Sequence, residues 1–130
     1  MLPNLPNLLV IEDNTWMQEI LMQYFSERYD VKLCSSGLDA YAQLQLGYLP
    51  DIIISDLNIP KFSGLDFLKQ LKTGSFFSSI PVIILSGDDS ADARLKCLEA
   101  GADDYVIKPF NPKELDLRMK AVLRRMGKSL

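Results

Sequence analysis

Four short apolar runs, rich in β-branched residues, place the strongest constraint on the fold of this chain. They occupy residues 8–11, 52–54, 82–85 and 105–107. Each run is too short for a helix, and the lack of polar alternation is typical of a parallel strand covered on both faces. A weaker fifth run at 31–34 contains a lysine and fits an edge strand. The runs therefore predict a parallel sheet between two layers of other structure.

The segments between the runs show apolar residues at helical spacing. These stripes lie at 17–25, 38–46, 65–71, 91–99 and 115–126. The first follows Asn14 or Thr15, either of which is a good N-cap. The last follows Asn111, with Pro112 at N1 and Glu114 at N3 in a capping-box arrangement. Strand and helix alternate five times, which predicts an α/β fold: a doubly wound, flavodoxin-like, five-stranded parallel sheet flanked by five helices.

Length and composition indicate one soluble domain. We expect a single domain over residues 1–130 with a core of about 7–126, since 48% of the 130 residues are hydrophobic. The net charge of −3 argues against direct binding of nucleic acid or of a membrane surface. No apolar run approaches the ~20 residues that span a bilayer, and the first residues do not resemble a signal peptide. A cytoplasmic location is therefore expected, with Cys34 and Cys97 as reduced thiols.

The chain has no histidine. This excludes histidine general bases, histidine metal ligands and a phosphohistidine within the chain itself.

Charged and hydroxyl side chains follow the predicted strands at their carboxyl ends. Glu12 and Asp13 follow the first strand, Asp56 ends the third, Ser86 the fourth and Lys108 the fifth. Ligands of open parallel sheets bind beyond this edge, so we expect the five side chains to converge. Taken singly, each has an ordinary interpretation as a helix cap, a turn residue or a solvated lysine. Their coincidence at strand ends is what favours a functional site.

Three clustered carboxylates repel one another and require a cation. An all-oxygen set with an open position favours Mg²⁺, which keeps coordination sites for phosphate oxygens. Lys108 adds a second positive charge, and Ser86 can donate a hydrogen bond to a phosphoryl oxygen. A carboxylate can itself accept a phosphoryl group as an acyl phosphate. The residues therefore predict a magnesium-dependent phosphoacceptor site.

These segments resemble the receiver domain of two-component response regulators over essentially the whole chain. The matching motifs are LLVIEDN at 8–14, PDIIISDLNIP at 50–60 with Gly64 following, PVIILSG at 81–87 and GADDYVIKPF at 101–110. The resemblance implies strand order 2-1-3-4-5, with Asp56 as the phosphoacceptor. It implies Mg²⁺ ligation by Asp13, by Glu12 mainly through water, and by the backbone carbonyl of Asn58. It also implies that Lys108 pairs with the acceptor, that Ser86 and Tyr105 form a switch pair, and that Pro109 is cis.

The resemblance further implies a signalling switch and not an enzyme, although such a domain catalyses its own phosphoryl transfer and a slow autodephosphorylation. The implied phosphodonor is a sensor histidine kinase or a phosphotransfer protein. Ser86 stands where threonine is more usual, Gly87 where alanine is usual, and Ser63 where many relatives have aspartate. None of these departures removes a chemical group that the mechanism needs.

Several alternatives to a phosphorylated switch can be weighed on the residues. A flavodoxin-type module is disfavoured because Glu12 and Asp13 would repel the phosphate group of a bound FMN. A haloacid-dehalogenase-like phosphatase is disfavoured because Asn58 stands where such an enzyme has a second aspartate. A receiver-like interaction module that is not phosphorylated remains the best competitor.

The output is also open, because the chain is either a stand-alone receiver or part of a longer regulator. The stretch 101–125 resembles receivers fused to winged-helix DNA-binding domains. An output partner or a further C-terminal domain is expected, as is a homodimer formed on phosphorylation.

Trp16 follows Asp13 closely in the sequence. Its indole is expected either near the metal site or in the core.

Overall fold

The computed structural model describes residues 4–59 and 62–128, and strands and helices alternate through them as predicted. The strands are β1 (Asn7–Ile11), β2 (Asp30–Cys34), β3 (Ile52–Asp56), β4 (Val82–Ser86) and β5 (Asp104–Ile107). The helices are α1 (Thr15–Phe25), α2 (Gly37–Gln45), α3 (Gly64–Thr73), α4 (Ala91–Glu99) and α5 (Pro112–Arg125). Pro60 of the motif around Asp56, and both ends of the predicted 1–130 domain, lie outside the described residues.

The strands form one parallel sheet in the order β2-β1-β3-β4-β5, which confirms the predicted doubly wound topology. The strand order reverses between β1 and β3, where Ile11 lies opposite Ser55. On the other side of β3, Asp56 lies opposite Leu85 of β4. This register brings the residues that follow β1 next to the end of β3, at the position where ligands of such sheets bind.

Two hydrophobic clusters cover the two faces of the sheet. Leu9, Ile11, Ile53 and Ile84 face one cluster, which α2, α3 and α4 complete. Leu8, Val10, Ile52, Ile54, Ile83 and Leu85 face the other, which α1 and α5 complete. Successive strand residues point to opposite faces. Both faces are buried, which explains why these strands are apolar without alternation.

A side-chain oxygen caps the amino end of every helix described above. The capping residues are Asn14, Ser36, Ser63, Ser90 and Asn111. Asn14, and not Thr15, caps α1 by accepting a hydrogen bond from the Met17 N–H at 2.9 Å. At α5, Asn111 accepts from the backbone of Lys113 and Glu114 as expected. The Glu114 carboxylate turns toward Arg118 at 3.6 Å, so it does not complete the predicted capping box.

Both cysteines are buried free thiols, in agreement with the expectation for Cys34 and Cys97. Among the described residues, the helices are too short or too polar for any of them to cross a membrane.

Candidate functional site

Three carboxylates converge at the carboxyl edge of the sheet. Glu12 and Asp13 follow β1, Asp56 ends β3, and one oxygen of each lies within 4.8 Å of the others. Glu12 is only 1% exposed and Asp56 8%, whereas Asp13 faces solvent. The neighbouring positions of β1 and β3 cause this arrangement, as the strand-end pattern predicted. Because these are hard oxygen donors with one open side, they fit Mg²⁺.

Lys108 provides the positive charge of the cluster. Its Nζ lies 3.2 Å from Glu12 Oε1 and 3.3 Å from Asp56 Oδ2. The Lys108 N–H donates to the Ser86 carbonyl at 2.7 Å, which ties the residue after β5 to the end of β4. The Lys108–Pro109 peptide bond is cis, as the resemblance implied. The predicted pairing of Lys108 with the Asp56 carboxylate is therefore present.

The pKa of Glu12 is raised above its ordinary value of 4.5. Burial is the largest cause, and the nearby charge of Asp56 acts in the same direction. The Asn14 N–H, which donates to Glu12 Oε2 at 3.2 Å, and the Lys108 ammonium oppose this shift. The raised pKa means that the ionised Glu12 carboxylate is less stable here than in water, even with Lys108 beside it. The site therefore favours an additional cation.

The loop after β3 is held close to Asp56. The Asn58 N–H reaches Asp56 Oδ1 at 3.4 Å, and the Asn58 side chain is exposed. Gly64 begins α3 and donates its N–H to the Leu57 carbonyl at 2.9 Å. A Cβ on Gly64 would lie 2.4 Å from the Asp56 carbonyl oxygen, so only glycine fits there. The sequence motif contains Gly64 but gives no sign of this packing role, which depends on how α3 meets β3.

Ser86 and Tyr105, the expected switch pair, are connected through Asp88. Ser86 is fully buried, and its Oγ accepts a hydrogen bond from the Asp88 N–H at 3.0 Å. The Tyr105 hydroxyl donates to the Asp88 carbonyl at 2.6 Å. The Tyr105 ring is buried, and burial is the main reason that its pKa is raised. Nothing in the sequence marks Asp88, because its role depends on backbone groups that every residue carries.

Trp16 lies at the site and not in the core. It is 68% exposed and, together with Glu12, Asp13, Asp56 and Lys108, lines an open cleft of about 630 Å³. Trp16 therefore lies beside the acidic cluster, where the metal was expected, and the core alternative is wrong.

Comparison with known proteins agrees with this geometry. Residues 8–120 match the sequence profile of the response regulator receiver domain. The chain belongs to this family. The receiver domain is 45% identical over 121 residues to the phosphate regulon transcriptional regulatory protein PhoB of Pseudomonas aeruginosa, covering 92% of this chain and 52% of PhoB. It thus spans about half the length of the curated relatives it matches.

Solved structures of receiver domains superpose closely on this one. The Francisella response regulator 1452 receiver domain has a TM-score of 0.85 at 30% identity, covering 93% of this chain and 98% of that one. The receiver domain of the sensor histidine kinase PA1611 of Pseudomonas aeruginosa has a TM-score of 0.84 at 25% identity, covering 92% and 98%. That structure holds a magnesium ion coordinated in its active site cleft. The protein described here is accordingly a receiver domain of two-component signal transduction.

Proposed function

We propose that this receiver domain accepts a phosphoryl group on Asp56 in a reaction that requires Mg²⁺. The observation that carries the proposal is the position of the Asp56 carboxylate, which ends the strand β3 between two further carboxylates and the Lys108 ammonium. Glu12, Asp13, Asp56 and the backbone carbonyl of Asn58 would hold the ion. When bound, Mg²⁺ supplies positive charge that offsets the carboxylates and the phosphoryl oxygens.

The residues of the chain have separable tasks in the transfer. A carboxylate oxygen of Asp56 forms a bond to phosphorus while the bond from phosphorus to the leaving group breaks, and the leaving group retains the electron pair. Lys108, already 3.3 Å from Asp56, pairs with the transferred oxygens. The Ser86 hydroxyl, whose oxygen accepts from the Asp88 N–H, turns its own hydrogen toward another of these oxygens and donates to it. Slow hydrolysis of the acyl phosphate by the domain itself is part of the proposal.

The new charge also supports a switch. Phosphorylation adds about −1.5 to −2 charges, which favours states in which Ser86 and Lys108 point toward the phosphoryl group. Because Asp88 bonds both Ser86 and Tyr105, movement of Ser86 changes the support of the Tyr105 hydroxyl. The affected surface is that of α4, β5 and α5. This surface would then bind a second copy of the chain or an output partner.

The partners belong to the proposal as well. We infer that the phosphoryl donor is a sensor histidine kinase or a phosphotransfer protein, because the chain has no histidine of its own. Similarity to PhoB, a transcriptional regulatory protein, over half of the length of PhoB favours the alternative that this receiver belongs to a DNA-binding transcriptional regulator.

Intact-protein mass spectrometry tests the central claim. Incubation with acetyl phosphate and Mg²⁺ should add one phosphoryl group to the wild type, none without Mg²⁺, and none to Asp56→Asn. Asp51→Asn is the matched control, since Asp51 lies at the opposite edge of the sheet beside Asn7, and it should be phosphorylated normally. A wild-type protein that stays unmodified would support the alternative of an interaction module that is not phosphorylated.

A further inference from the structure

The indole of Trp16 is exposed to solvent and is not part of either hydrophobic cluster. Trp16 lies in the first turn of α1, and 68% of its surface is exposed, although indole is largely apolar. It is the only tryptophan of the chain. The side chain forms part of the cleft wall that also contains Asp56 and Lys108. Isolated apolar side chains are common on protein surfaces, so exposure by itself means little. Its place in the wall of the proposed acceptor site is the informative observation.

Two features direct this side chain to the mouth of the cleft. Helical side chains lean toward the amino end of their helix, and the amino end of α1 follows the acidic residues after β1. Asn14 caps the helix and also donates its N–H to Glu12, which links the start of α1 to the acidic cluster. The indole is therefore carried on a helix whose start is attached to the site.

The direction of phosphoryl transfer determines what meets the mouth of the cleft. The attacking and leaving atoms lie roughly in line on opposite sides of phosphorus. Since Asp56 is a buried residue of the cleft, a leaving group on the side of phosphorus opposite Asp56 faces the mouth of the cleft. Trp16 and the half-buried Met17 are the apolar residues of the cleft lining, and the other lining residues are polar or charged. A flat aromatic leaving group would thus meet an aromatic and apolar surface.

We propose that Trp16 is a positioning residue that stacks on the imidazole ring of a phosphohistidine-type donor, and thereby favours such donors over those without a ring. This inference rests on the proposed function. The ring is protonated on its second nitrogen before transfer. The phosphorus–nitrogen bond breaks, its electron pair stays on the nitrogen that carried phosphorus, and neutral imidazole leaves as phosphorus bonds to Asp56. A protonated ring also gains attraction from the indole face and from the adjacent Asp13 carboxylate.

Two small phosphodonors that share a phosphorus–nitrogen bond isolate the effect of the ring. Monophosphoimidazole has an imidazole leaving group, and phosphoramidate has ammonia. With the full chain and Mg²⁺, the initial rate of Asp56 phosphorylation is measured by mass spectrometry for each donor. Trp16→Ala should slow the imidazole donor about three- to tenfold, in keeping with the contribution of one aromatic pair, and change phosphoramidate less than about twofold. Trp16→Phe should restore most of the lost rate.

Phe76→Ala is the matched control, because Phe76 is 69% exposed but does not line this cleft. It should leave both rates unchanged. Equal slowing of both donors by Trp16→Ala, or no slowing of either, overturns the stacking proposal while the proposed function stands. If wild-type protein accepts a phosphoryl group from neither donor, the proposed function fails and the role of Trp16 fails with it.

Discussion

The Lys108 ammonium lies 3.3 Å from the Asp56 carboxylate and 3.2 Å from the Glu12 carboxylate. It therefore places a positive charge between two buried acids. Lys108→Met should therefore destabilise the metal-free protein by about 1–3 kcal/mol at pH 8, because a buried charge loses its partner. Urea denaturation measures this loss. Lys113→Met, a change at an exposed position of α5, is the control and should have little effect.

The same variant has a predictable pH dependence. The pKa of Glu12 is raised in the fold, so between pH 4.5 and that raised value the native state binds more protons than the unfolded chain. Stability therefore falls as pH rises through this window. Loss of Lys108 should raise the Glu12 pKa further and so enlarge this fall in stability. Near pH 5 Glu12 would be largely protonated in the variant and would need no cationic partner, so the variant should approach wild-type stability there. An equal deficit at pH 5 and pH 8 would contradict the pairing.

Repulsion within the acidic cluster should lower the melting temperature of the protein when Mg²⁺ is absent. Asp13→Ala removes one of three adjacent negative charges, so we expect a higher melting temperature for the metal-free protein. The same change should remove the increase that millimolar Mg²⁺ produces in the wild type, since a ligand stabilises only the state that binds it. Differential scanning fluorimetry with Mg²⁺ and with EDTA measures both effects. A destabilised variant that still responds to Mg²⁺ would argue against Asp13 as a ligand.

Close packing of Gly64 on the end of β3 leads to a further prediction. Gly64→Ala would put a methyl group 2.4 Å from the Asp56 carbonyl and 2.9 Å from the Leu57 Cα, so the backbone has to shift. We expect a loss of about 1–3 kcal/mol in unfolding free energy and slower phosphorylation of Asp56. Gly74→Ala is the matched change, because its nearest neighbour atom would be 3.7 Å away. Normal phosphorylation kinetics in a stable Gly64→Ala protein would show that the loop tolerates the shift.

A buried polar contact joins the α1–β2 loop to α5. The Tyr29 hydroxyl donates to Asp116 Oδ1 at 2.8 Å, and Asp116 is 4% exposed. Tyr29→Phe should cost about 1 kcal/mol, and a double-mutant cycle with Asp116→Asn should reveal the coupling. Burial, followed by the Asp116 contact, raises the pKa of Tyr29, so wild-type stability should fall as pH rises above 10.0. Tyr29→Phe should show a smaller fall, since Tyr48 and Tyr105 also have raised pKa values, and an unchanged high-pH slope would count against the contact.

The last prediction concerns assembly. The surface of α4, β5 and α5 carries charges of both signs, which can pair across a two-fold axis. They are Arg94, Lys96, Asp103, Asp104, Glu114, Arg118 and Lys120. Arg118 already contacts Asp104 at 3.1 Å within the chain, so a dimer has to exchange or share this pair. Beryllofluoride with Mg²⁺ should shift the protein from monomer to dimer in sedimentation velocity, and Arg118→Ala or high salt should weaken the shift.

Asp66→Ala, at an exposed position of α3, serves as the control and should dimerise normally. An activated protein that stays monomeric at high concentration would indicate that this surface binds a different partner.

Local sequence determined the elements of this fold. Apolar runs without alternation identified the strands, and short-range signals such as Asn111 followed by Pro112 identified helix starts, because both depend on residues that are neighbours along the chain. The acidic cluster was also predictable. Strand ends of a parallel sheet share one edge, so Glu12, Asp13, Asp56 and Lys108 could be assigned to one site before any coordinates existed.

Tertiary structure alone decided the contacts that depend on how separate elements pack. The fit of Gly64 against Asp56, the bridge from Ser86 through Asp88 to Tyr105, and the bond between Tyr29 and Asp116 join residues that no local pattern relates. Trp16 shows the same limit, since helical spacing did not distinguish a core position from the wall of the cleft. Burial and hydrogen-bond partners follow from the relative positions of helices and sheet, and these are set by the whole core.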